Sequence, residues 1–316
     1  MAELVQDLLL PSAESTIASE VDGLFIFITL AGSLLIAGIT AAIIYFVIRY
    51  RRRSDNDVTP LITHHNLLEI TWSIIPLIIV LIVFSWGFKT FVKMTTPPDD
   101  AYEISVKAQK WLWRFSYENG ASTVDTLHVP ANKPIKLVMQ SADVLHSFFV
   151  PEYRVKHDVI PNRYTNVWFE VMEPGESTIF CTEYCGLQHS GMTGVVVAHE
   201  QEEFDNWLAR NEGGAMASDL PPAELGAKLF KENACNSCHS LDGSQMVGPT
   251  FKGLWEREEV MQNGEEIVAD ANYIRESILN PQAKIVKGYG PVMPPYQGQL
   301  NDDQIKALIE YIKTIK

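Results

Sequence analysis

The sequence has few cysteines and few positive charges for its size. Four of its 316 residues are cysteine, which argues against a small secreted scaffold held together by many disulfides. Lysine and arginine number 25 against 39 aspartate and glutamate residues, which gives a formal net charge of −14. Because clustered basic residues supply most of the affinity for nucleic acid, a nucleic-acid partner is disfavoured. A basic protein or a membrane complex is a better match.

The first 22 residues also lack the basic region that begins a cleavable signal peptide, so membrane insertion must depend on an internal segment. Residues 24–48 contain no charged side chain, and as a helix they would reach roughly 37 Å, enough to cross a bilayer. A second apolar run, 67–88, contains Glu69 and has Trp72 and Trp86 near its ends, as interfacial anchors do. We predict transmembrane helices at about 23–49 and 67–92. A buried helical hairpin of a soluble protein is the alternative.

Charge on either side of the first span predicts its orientation. Arginine occupies positions 49, 51, 52 and 53, directly after the span. Acidic residues precede the span, namely Glu14, Glu20 and Asp22. By the positive-inside rule the loop between the spans faces the cytoplasm, so both termini lie outside.

Beyond the second span the pattern changes to short alternating segments, for example 103–106, 167–171 and 193–197, which predict strands of a β-sandwich. Gly213, Gly214 and the prolines at 221 and 222 indicate a flexible boundary. The remaining residues predict helices at 223–232 and 302–315, the second with Ile305, Leu308, Ile309 and Ile312 on one face. We therefore predict a membrane hairpin over 1–94, a sandwich over 95–200, a linker over 201–220 and a small helical domain over 221–316.

The stretch CTEYCGLQHSGM at 181–192 carries the strongest chemical signal. Its soft and borderline ligands, with one histidine upstream, are His146, Cys181, Cys185, His189 and Met192. Two imidazoles, one thiolate and a weak thioether form the ligand set of a blue-copper site. The second thiolate, Cys181, lets two sulfurs bridge two copper ions, which predicts a binuclear electron-transfer centre. A disulfide between Cys181 and Cys185 and a zinc site are the alternatives.

A second motif lies in the helical domain, where Cys235, Cys238 and His239 form C-x-x-C-H. This spacing attaches heme through two thioethers while the histidine reaches the iron. A zinc or redox C-x-x-C is the competing interpretation, but no further cysteine lies nearby to complete a tetrahedral site.

The copper motif resembles subunit II of cytochrome c oxidase, whose copper A loop reads C-x-E-x-C-G-x-x-H-x-x-M and follows a D-V-x-H-S-F segment, here residues 143–148. The resemblance implies that Glu183 gives its backbone carbonyl to copper and its carboxylate to a magnesium ion at the boundary with subunit I. It also implies that Trp111, within the aromatic run 110–117, passes electrons to the copper site. Alternating aromatic residues equally suit the core of a sandwich.

Three further positions follow from the same resemblance. Glu69 would open a proton-uptake path into subunit I, with a glutamate at the membrane interface as the alternative. Asp158 would line the docking surface for cytochrome c, with an ordinary turn aspartate as the alternative. The family's Pro-Gly-Arg is Pro161-Asn162-Arg163 here, and because asparagine tolerates the left-handed conformation, we expect the turn to survive.

The C-terminal region resembles a class I cytochrome c. The matching positions outside the heme motif are Gly226, Phe230, Gly248, Pro249 and Tyr311. The sixth iron ligand should be a methionine, and the resemblance implies Met293, which precedes two prolines, with Met246 as the rival.

Together the resemblance covers residues 20–315 roughly and implies a multidomain membrane protein with a two-helix hairpin, a cupredoxin-like β-sandwich and an all-α class I cytochrome c domain. The expected function is electron transfer from a donor through heme c and copper A to subunit I of a proton-pumping terminal oxidase, with oxygen reduced in that other subunit. Expected partners are subunits I and III, membrane lipid, and a cytochrome c-like or quinol-oxidising donor. The expected location is the bacterial inner membrane, with the copper and heme domains on the periplasmic side.

Two alternatives remain open. A copper A-dependent nitric oxide reductase subunit could share the hairpin and sandwich, although Glu69 and the fused cytochrome favour the oxidase. A freestanding membrane-tethered electron carrier is the other.

Overall fold

A computed structural model describes residues 8–54, 57–58, 61–212 and 220–316. Gly213 and Gly214, where the sequence predicts a flexible boundary, lie outside these residues. The described chain forms a pair of long apolar helices, a β-sandwich and a C-terminal helical domain, which confirms the predicted fold class.

Two long helices, α1 (Ala18–Arg49) and α2 (Asn66–Thr95), form the N-terminal hairpin. Within the described residues they are the helices long and apolar enough to cross a bilayer. Helix α1 begins before residue 23, its predicted start. Its acidic residues have partners there: Glu20 accepts a hydrogen bond from Lys93 Nζ at 2.5 Å, and Asp22 forms an ion pair with Arg154. Glu20 and Asp22, which were predicted to precede the span, therefore lie in the first turns of the helix.

The β-sandwich consists of two five-stranded sheets. Its strands in chain order are β1 (Tyr102–Gln109), β2 (Leu112–Ser116), β3 (Ser122–Val124), β4 (Thr126–Pro130), β5 (Pro134–Ser141), β6 (His146–Val150), β7 (Val155–Val159), β8 (Thr165–Glu170), β9 (Gly175–Cys181) and β10 (Thr193–His199). One sheet has the order β3-β2-β1-β5-β8 and the other β4-β10-β9-β6-β7. Strands β1 and β5 are parallel neighbours, as are β4 and β10.

The sandwich core is aromatic. Alternate residues of each strand point to opposite faces, so the even pattern of buried and half-buried positions along β5 marks one face toward the core. Trp113, Phe115, Phe148 and Phe169 are fully buried between the sheets. The core rings of Trp113 and Phe148 meet edge to face, with centroids 5.5 Å apart. This packing joins β2, which carries Trp113, to β6, which begins at His146.

A segment before α1 joins the hairpin to the sandwich. Ser15 forms an antiparallel bridge with Val171, just beyond β8. Arg154 binds Asp22 with two hydrogen bonds of 2.7 and 2.9 Å, and both side chains are buried. This connection anchors the first helix to the domain that follows, and no motif or periodicity in the sequence predicts it.

Helix α3 (Gln201–Arg210) occupies the first half of the predicted linker. Phe204 is buried and belongs to the sandwich core, and Trp207 packs against that core. Residues 201–210, predicted as linker, therefore form a helix in the structure. The helix is mostly polar, but its apolar face packs on the sandwich.

The C-terminal domain packs helices α4 (Pro222–Glu232), α5 (Ala271–Leu279) and α6 (Asp302–Thr314) with a hairpin of β11 (Glu258–Val260) and β12 (Glu266–Val268). Helices α4 and α6 touch at Gly226, where an added Cβ would lie 2.0 Å from the Ala307 carbonyl oxygen. Phe230 and Tyr311 pack with ring centroids 5.5 Å apart. The predicted apolar face of α6 is buried, as its spacing requires.

Candidate metal and heme sites

Three of the predicted copper ligands converge at one end of the sandwich. The ligand atoms of His146, Cys181 and Cys185 lie within 4.8 Å of one another. His146 begins β6 and Cys181 ends β9, and the pairing of these strands brings the two ends together. The two sulfur atoms are 3.8 Å apart, well beyond the bond length of about 2.05 Å in a disulfide. All four cysteines of the chain are free thiols.

The remaining ligands surround the same pair of sulfurs. His189 Nδ1 lies 3.4 Å from Cys185 Sγ, and His146 Nδ1 lies 3.9 Å from Cys181 Sγ, so each histidine approaches a different sulfur. The fully buried Met192 places Sδ 3.8 Å from Cys185 Sγ. The Glu183 carbonyl oxygen lies 3.4 Å from Cys181 Sγ. Each sulfur thus has one imidazole and one weak donor beside it.

Asp143 holds His146 in place. Its carboxylate lies 2.8 Å from His146 Nε2, which leaves Nδ1 toward Cys181. The backbone N–H groups of Lys110 and Val144 donate to the same carboxylate at 2.8 and 2.6 Å. Burial opposes ionisation of Asp143, but these hydrogen bonds outweigh it and lower the pKa of the carboxyl. A histidine that donates its other nitrogen to a carboxylate is oriented for metal binding.

The charge state of the two thiols supports a paired cation site. Burial opposes ionisation of Cys181, but hydrogen bonds from His146 and from the backbone around it lower the pKa of this thiol. Burial and the neighbouring Cys181 thiolate raise the pKa of Cys185. Two thiolates 3.8 Å apart repel each other unless cations compensate them. The donor set of sulfur, imidazole and thioether suits copper, and its two-sulfur arrangement suits two ions.

Two tryptophans of one strand region flank this site. Trp111 is buried, and its indole N–H donates to the Cys185 carbonyl at 3.3 Å. Its ring lies against Gly186, where an added Cβ would be 3.3 Å from the indole and where φ is +117°. Trp113 meets the His146 ring edge to face at 6.2 Å between centroids. The aromatic run therefore serves both the sandwich core and the wall of the copper loop.

Asp158 and Asn162 lie on the next strand and turn. Asp158 accepts a 2.8 Å hydrogen bond from the hydroxyl of Ser147, the residue after His146, and this bond lowers the pKa of Asp158. Asp158 also lies 3.2 Å from Lys156 Nζ. Asn162 has φ 58°, so the left-handed turn expected there is confirmed.

Cys235, Cys238, His239 and Met293 line a single cavity in the C-terminal domain. Core residues of this domain complete its walls, among them Leu254, Ile274, Ile278, Leu300, Leu308 and Ile312. Met246, the rival sixth ligand, is not among the described residues that line it. An apolar cavity inside the core with two thiols, an imidazole and a thioether on its walls fits a covalently attached heme.

The orientation of His239 also fits that group. Its Nδ1 donates to the Pro249 carbonyl at 2.7 Å, which leaves Nε2 for the cavity. Its ring lies flat against Gly248, where an added Cβ would be 2.6 Å from Cε1, and stacks on Phe251 at 4.5 Å. Burial lowers the pKa of His239, which favours the neutral form of the imidazole that ligates metals.

The heme cavity and the copper loop share a wall. Lys110, Trp111, Leu112, Gln188 and Gly191 of the sandwich line the cavity together with Cys235 and Cys238. Cys238, Val247 and Val292 pack against the sandwich core in return. Trp111 therefore touches the copper loop on one side and borders the heme cavity on the other.

Glu69 lies apart from these sites, in the first turn of α2. Its carboxylate accepts a 3.1 Å hydrogen bond from the backbone N–H of His65, and the His65 ring accepts from the Leu68 N–H. These two bonds cap the start of the helix. They account for the position of Glu69 locally and leave one carboxylate oxygen for another partner.

Three family models match the chain. The model described as cytochrome c oxidase subunit II, transmembrane domain, matches residues 3–90. The model described as cytochrome c oxidase subunit II, periplasmic domain, matches residues 121–199, and the model described as cytochrome c matches residues 223–316.

Curated relatives extend this likeness across the chain. Cytochrome c oxidase subunit 2 of Alkalihalophilus pseudofirmus is 32% identical over 290 residues, which cover 86% of this chain and 81% of that protein. Cytochrome c oxidase subunit 2 of a Synechocystis species is 29% identical over 266 residues, which cover 68% of this chain and 80% of that protein. Among solved structures, the periplasmic domain of subunit II of cytochrome oxidase of Bradyrhizobium japonicum matches 36% of this chain and 96% of that chain at 27% identity and a TM-score of 0.35.

Proposed function

The chain belongs to the cytochrome c oxidase subunit II family, and we propose that it is the subunit through which electrons reach a proton-pumping heme-copper terminal oxidase. It forms part of an oxidoreductase complex in which another subunit reduces oxygen. In this proposal electrons pass from an outside donor by way of heme c and copper A to subunit I. The observation that carries the proposal is that the copper loop and the heme cavity share Trp111 as a common wall.

Six residues would hold the copper pair. The two thiolates, Cys181 and Cys185, would hold the ions together with the two histidines and two weak donors around them, namely His146, His189, Met192 and the Glu183 carbonyl. A copper pair of this kind supplies a one-electron carrier whose ligands move little on oxidation. The chain contributes a fixed geometry, because Asp143 orients His146 and strands β6 and β9 fix the positions of His146 and Cys181.

Four residues would hold heme c. Cys235 and Cys238 would attach the heme through thioethers, and His239 and Met293 would ligate its iron. Methionine as the second ligand keeps the potential higher than a pair of histidines would. Trp111 would then be the residue through which electrons leave the heme for the copper loop, since its indole contacts that loop through Cys185 and Gly186.

The copper loop also has the features of a subunit contact. Tyr184 and Leu187, on either side of Cys185, are each 76% exposed, which is unusual for large apolar side chains on a soluble face. We assign this surface to subunit I. The half-buried Glu183 carboxylate between Cys181 and Tyr184 would bind magnesium at that boundary.

Helices α1 and α2 would place the chain in the bacterial inner membrane with both soluble domains in the periplasm, as the arginines after α1 require. Glu69 would then lie at the cytoplasmic side, where proton uptake into subunit I begins. The net charge of −14 favours a basic donor such as a cytochrome c-like protein, or a quinol-oxidising complex that carries one, and subunit III would complete the assembly.

Purification of the intact complex through a tag on this chain tests the proposal. We expect a many-span heme subunit to co-purify, copper and heme c in this chain in a ratio of two to one, and consumption of oxygen with a reduced donor. Cys185→Ser should abolish the electron paramagnetic resonance signal of a copper pair and halt oxygen uptake, whereas Glu173→Gln, in an exposed bend of the sandwich, should preserve both. Reduction of nitric oxide without oxygen uptake would favour the reductase, and the absence of a catalytic subunit would favour a freestanding carrier.

A further inference from the structure

A charged side chain of the sandwich reaches into the cytochrome domain. Arg114 lies on β2 between Trp113 and Phe115, which are both fully buried in the sandwich core. Because side chains alternate along a strand, the Arg114 side chain projects from the face of β2 opposite to Trp113 and Phe115. There its Nη2 donates to Oδ1 of Asn233 at 2.9 Å, a contact between residues 119 positions apart.

The guanidinium is not a loosely solvated surface charge. Its Nε is buried and has no hydrogen-bond partner among the described residues. Burial lowers the pKa of Arg114, while Tyr296, Cys235, Glu232 and Asp125 act in the opposite direction. A buried cation needs a well-oriented acceptor, and in the described part of the chain Asn233 supplies it.

Asn233 is held by the cytochrome domain in a single orientation. It is buried, and its Nδ2 and its backbone N–H both donate to the Leu229 carbonyl, at 2.8 and 2.9 Å. The buried Tyr296 hydroxyl donates to the Asn233 carbonyl at 2.8 Å. With the amide nitrogen engaged in this way, Oδ1 is directed outward and receives Arg114. The acceptor is thus prepared by the cytochrome domain for a donor from the sandwich.

The position of this bond matters because of its neighbours in sequence. Asn233 ends α4 and precedes Cys235 of the heme-attachment motif by two positions. Arg114 follows Trp111, which contacts the copper loop, and Trp113, whose ring meets His146. Residues 111–114 therefore contact the copper site directly and the heme-attachment segment through one directional bond.

We propose that Arg114 is a positioning residue that fixes the heme-attachment segment against β2, so that the heme cavity keeps Trp111 as its wall. The inference rests on the proposed function and deepens it. Apolar residues such as Leu112, Val247 and Val292 also contribute to this contact, and apolar packing is not directional. Without the guanidinium, Asn233 Oδ1 is left as a buried acceptor, and the two domains lose the directional hydrogen bond that joins β2 to the heme-attachment segment.

Arg114→Met is the informative variant. It removes the bond but keeps the length of the side chain and leaves no buried charge, so the fold is preserved. Arg275→Ala is the matched control, because Arg275 forms an exposed ion pair with Asp302 within the cytochrome domain. In the loaded protein the four native cysteines are engaged by copper and heme, so cysteines introduced at the exposed Glu118 and Lys306 can carry spin labels, one on each domain.

In the purified complex we expect a single narrow distance between the labels for the unsubstituted chain and for R275A, and a broad distribution for R114M. We also expect electron transfer from heme c to copper after flash reduction to slow by about tenfold in R114M, with the copper spectrum unchanged. A narrow distance and an unchanged rate in R114M would overturn the inference. Oxygen uptake by the unsubstituted complex tests the proposed function separately, so the two can fail independently.

Discussion

The two candidate sites of this chain are built in opposite ways. At the copper loop the polypeptide alone brings the ligands together, with the Cys181 and Cys185 sulfurs 3.8 Å apart and His146 held by Asp143. In the cytochrome domain the four predicted heme-binding residues, Cys235, Cys238, His239 and Met293, instead line an apolar cavity. The core of the domain surrounds that cavity. The first site lies at one end of a core that is filled by side chains, including Cys181, Cys185 and Met192, whereas the second is a cavity lined by the core of its own domain.

This difference predicts different dependence on the bound group. The sandwich core is filled by side chains, among them Trp113, Phe148 and the predicted copper ligands Cys181, Cys185 and Met192. The cytochrome core contacts the heme cavity on most sides, so a heme would replace side-chain packing there. We therefore expect metal loss to abolish electron transfer through the sandwich without unfolding it, and heme loss to unfold the cytochrome domain.

The largest effect should come from Cys235→Ala combined with Cys238→Ala. Without thioether attachment the cytochrome core would surround an unfilled cavity, and the cost is on the order of the whole stability of a small domain. We expect residues 221–316 to be degraded by trypsin while residues 95–212 resist it. Peptide mapping by mass spectrometry after brief digestion measures this.

The matched control is Cys181→Ala combined with Cys185→Ala. It should remove the copper signal and leave both domains resistant to trypsin. If the copper variant unfolded the sandwich as readily as the heme variant unfolds the cytochrome domain, the contrast between the two sites would be wrong.

The next largest effect concerns the sixth iron ligand. Met293 lines the heme cavity and Met246 does not, so Met293→Ala should lower the reduction potential of heme c by on the order of 100 mV, a fraction of the ~0.8 V range that axial ligands set. Met246→Ala should leave the potential unchanged. Spectroelectrochemical titration of the purified complex measures both. A larger shift in the heme c potential for Met246→Ala than for Met293→Ala would mean that Met246 is the sixth iron ligand.

A smaller effect is expected at Asp143, which acts on copper through His146. Asp143→Asn keeps the size of the side chain but weakens its hold on the His146 ring, and changes of this kind cost about 10- to 100-fold in metal affinity. Competition with a copper chelator measures the affinity. The control is Asp158→Asn, whose carboxylate contacts Ser147 and Lys156 and no ligand side chain. Equal losses in the two variants would show that Asp143 has no special role.

The sequence predicted the elements that depend on local pattern. The uncharged run at 24–48, the alternating strands and the apolar face of α6 all correspond to elements of the structure. The copper and heme motifs place their residues on single short segments, and the structure brings the upstream His146 to Cys181 and Cys185; the ligand roles themselves stay predictions.

What the sequence did not predict are contacts between distant and individually ordinary residues. Arg154 and Asp22 are 132 positions apart, and Arg114 and Asn233 are 119 apart. No periodicity or spacing distinguishes such a pair from solvated surface residues, because only the tertiary fold brings them together and excludes water. Helix α3 is a similar case, since its polar composition resembles a linker until Phe204 is seen to pack on the sandwich.

The smallest predicted effect concerns Asp125, the residue between β3 and β4 of the sandwich. Asp125 accepts a 2.8 Å hydrogen bond from the Trp113 N–H, and its backbone has φ 55°. Burial raises the pKa of this carboxyl to about 7, although the Trp113 N–H and Arg114 oppose the shift. The folded chain therefore keeps a proton that the unfolded chain loses above its ordinary pKa of 3.8, so the free energy of unfolding should fall as pH rises between these two values and stay low above them.

Asp125→Asn keeps the acceptor and tolerates the left-handed backbone, so it should remove this pH dependence and stabilise the sandwich by about 1 kcal/mol near neutral pH, the partial exposure of the carboxyl limiting the gain. Hydrogen exchange of β2 to β4 in the full chain, compared with α4 and α6, measures the effect in each domain. Because Asp125 belongs to the sandwich, slower exchange should be confined to its strands. A pH dependence that survives in the variant would mean that another group in the sandwich carries the proton.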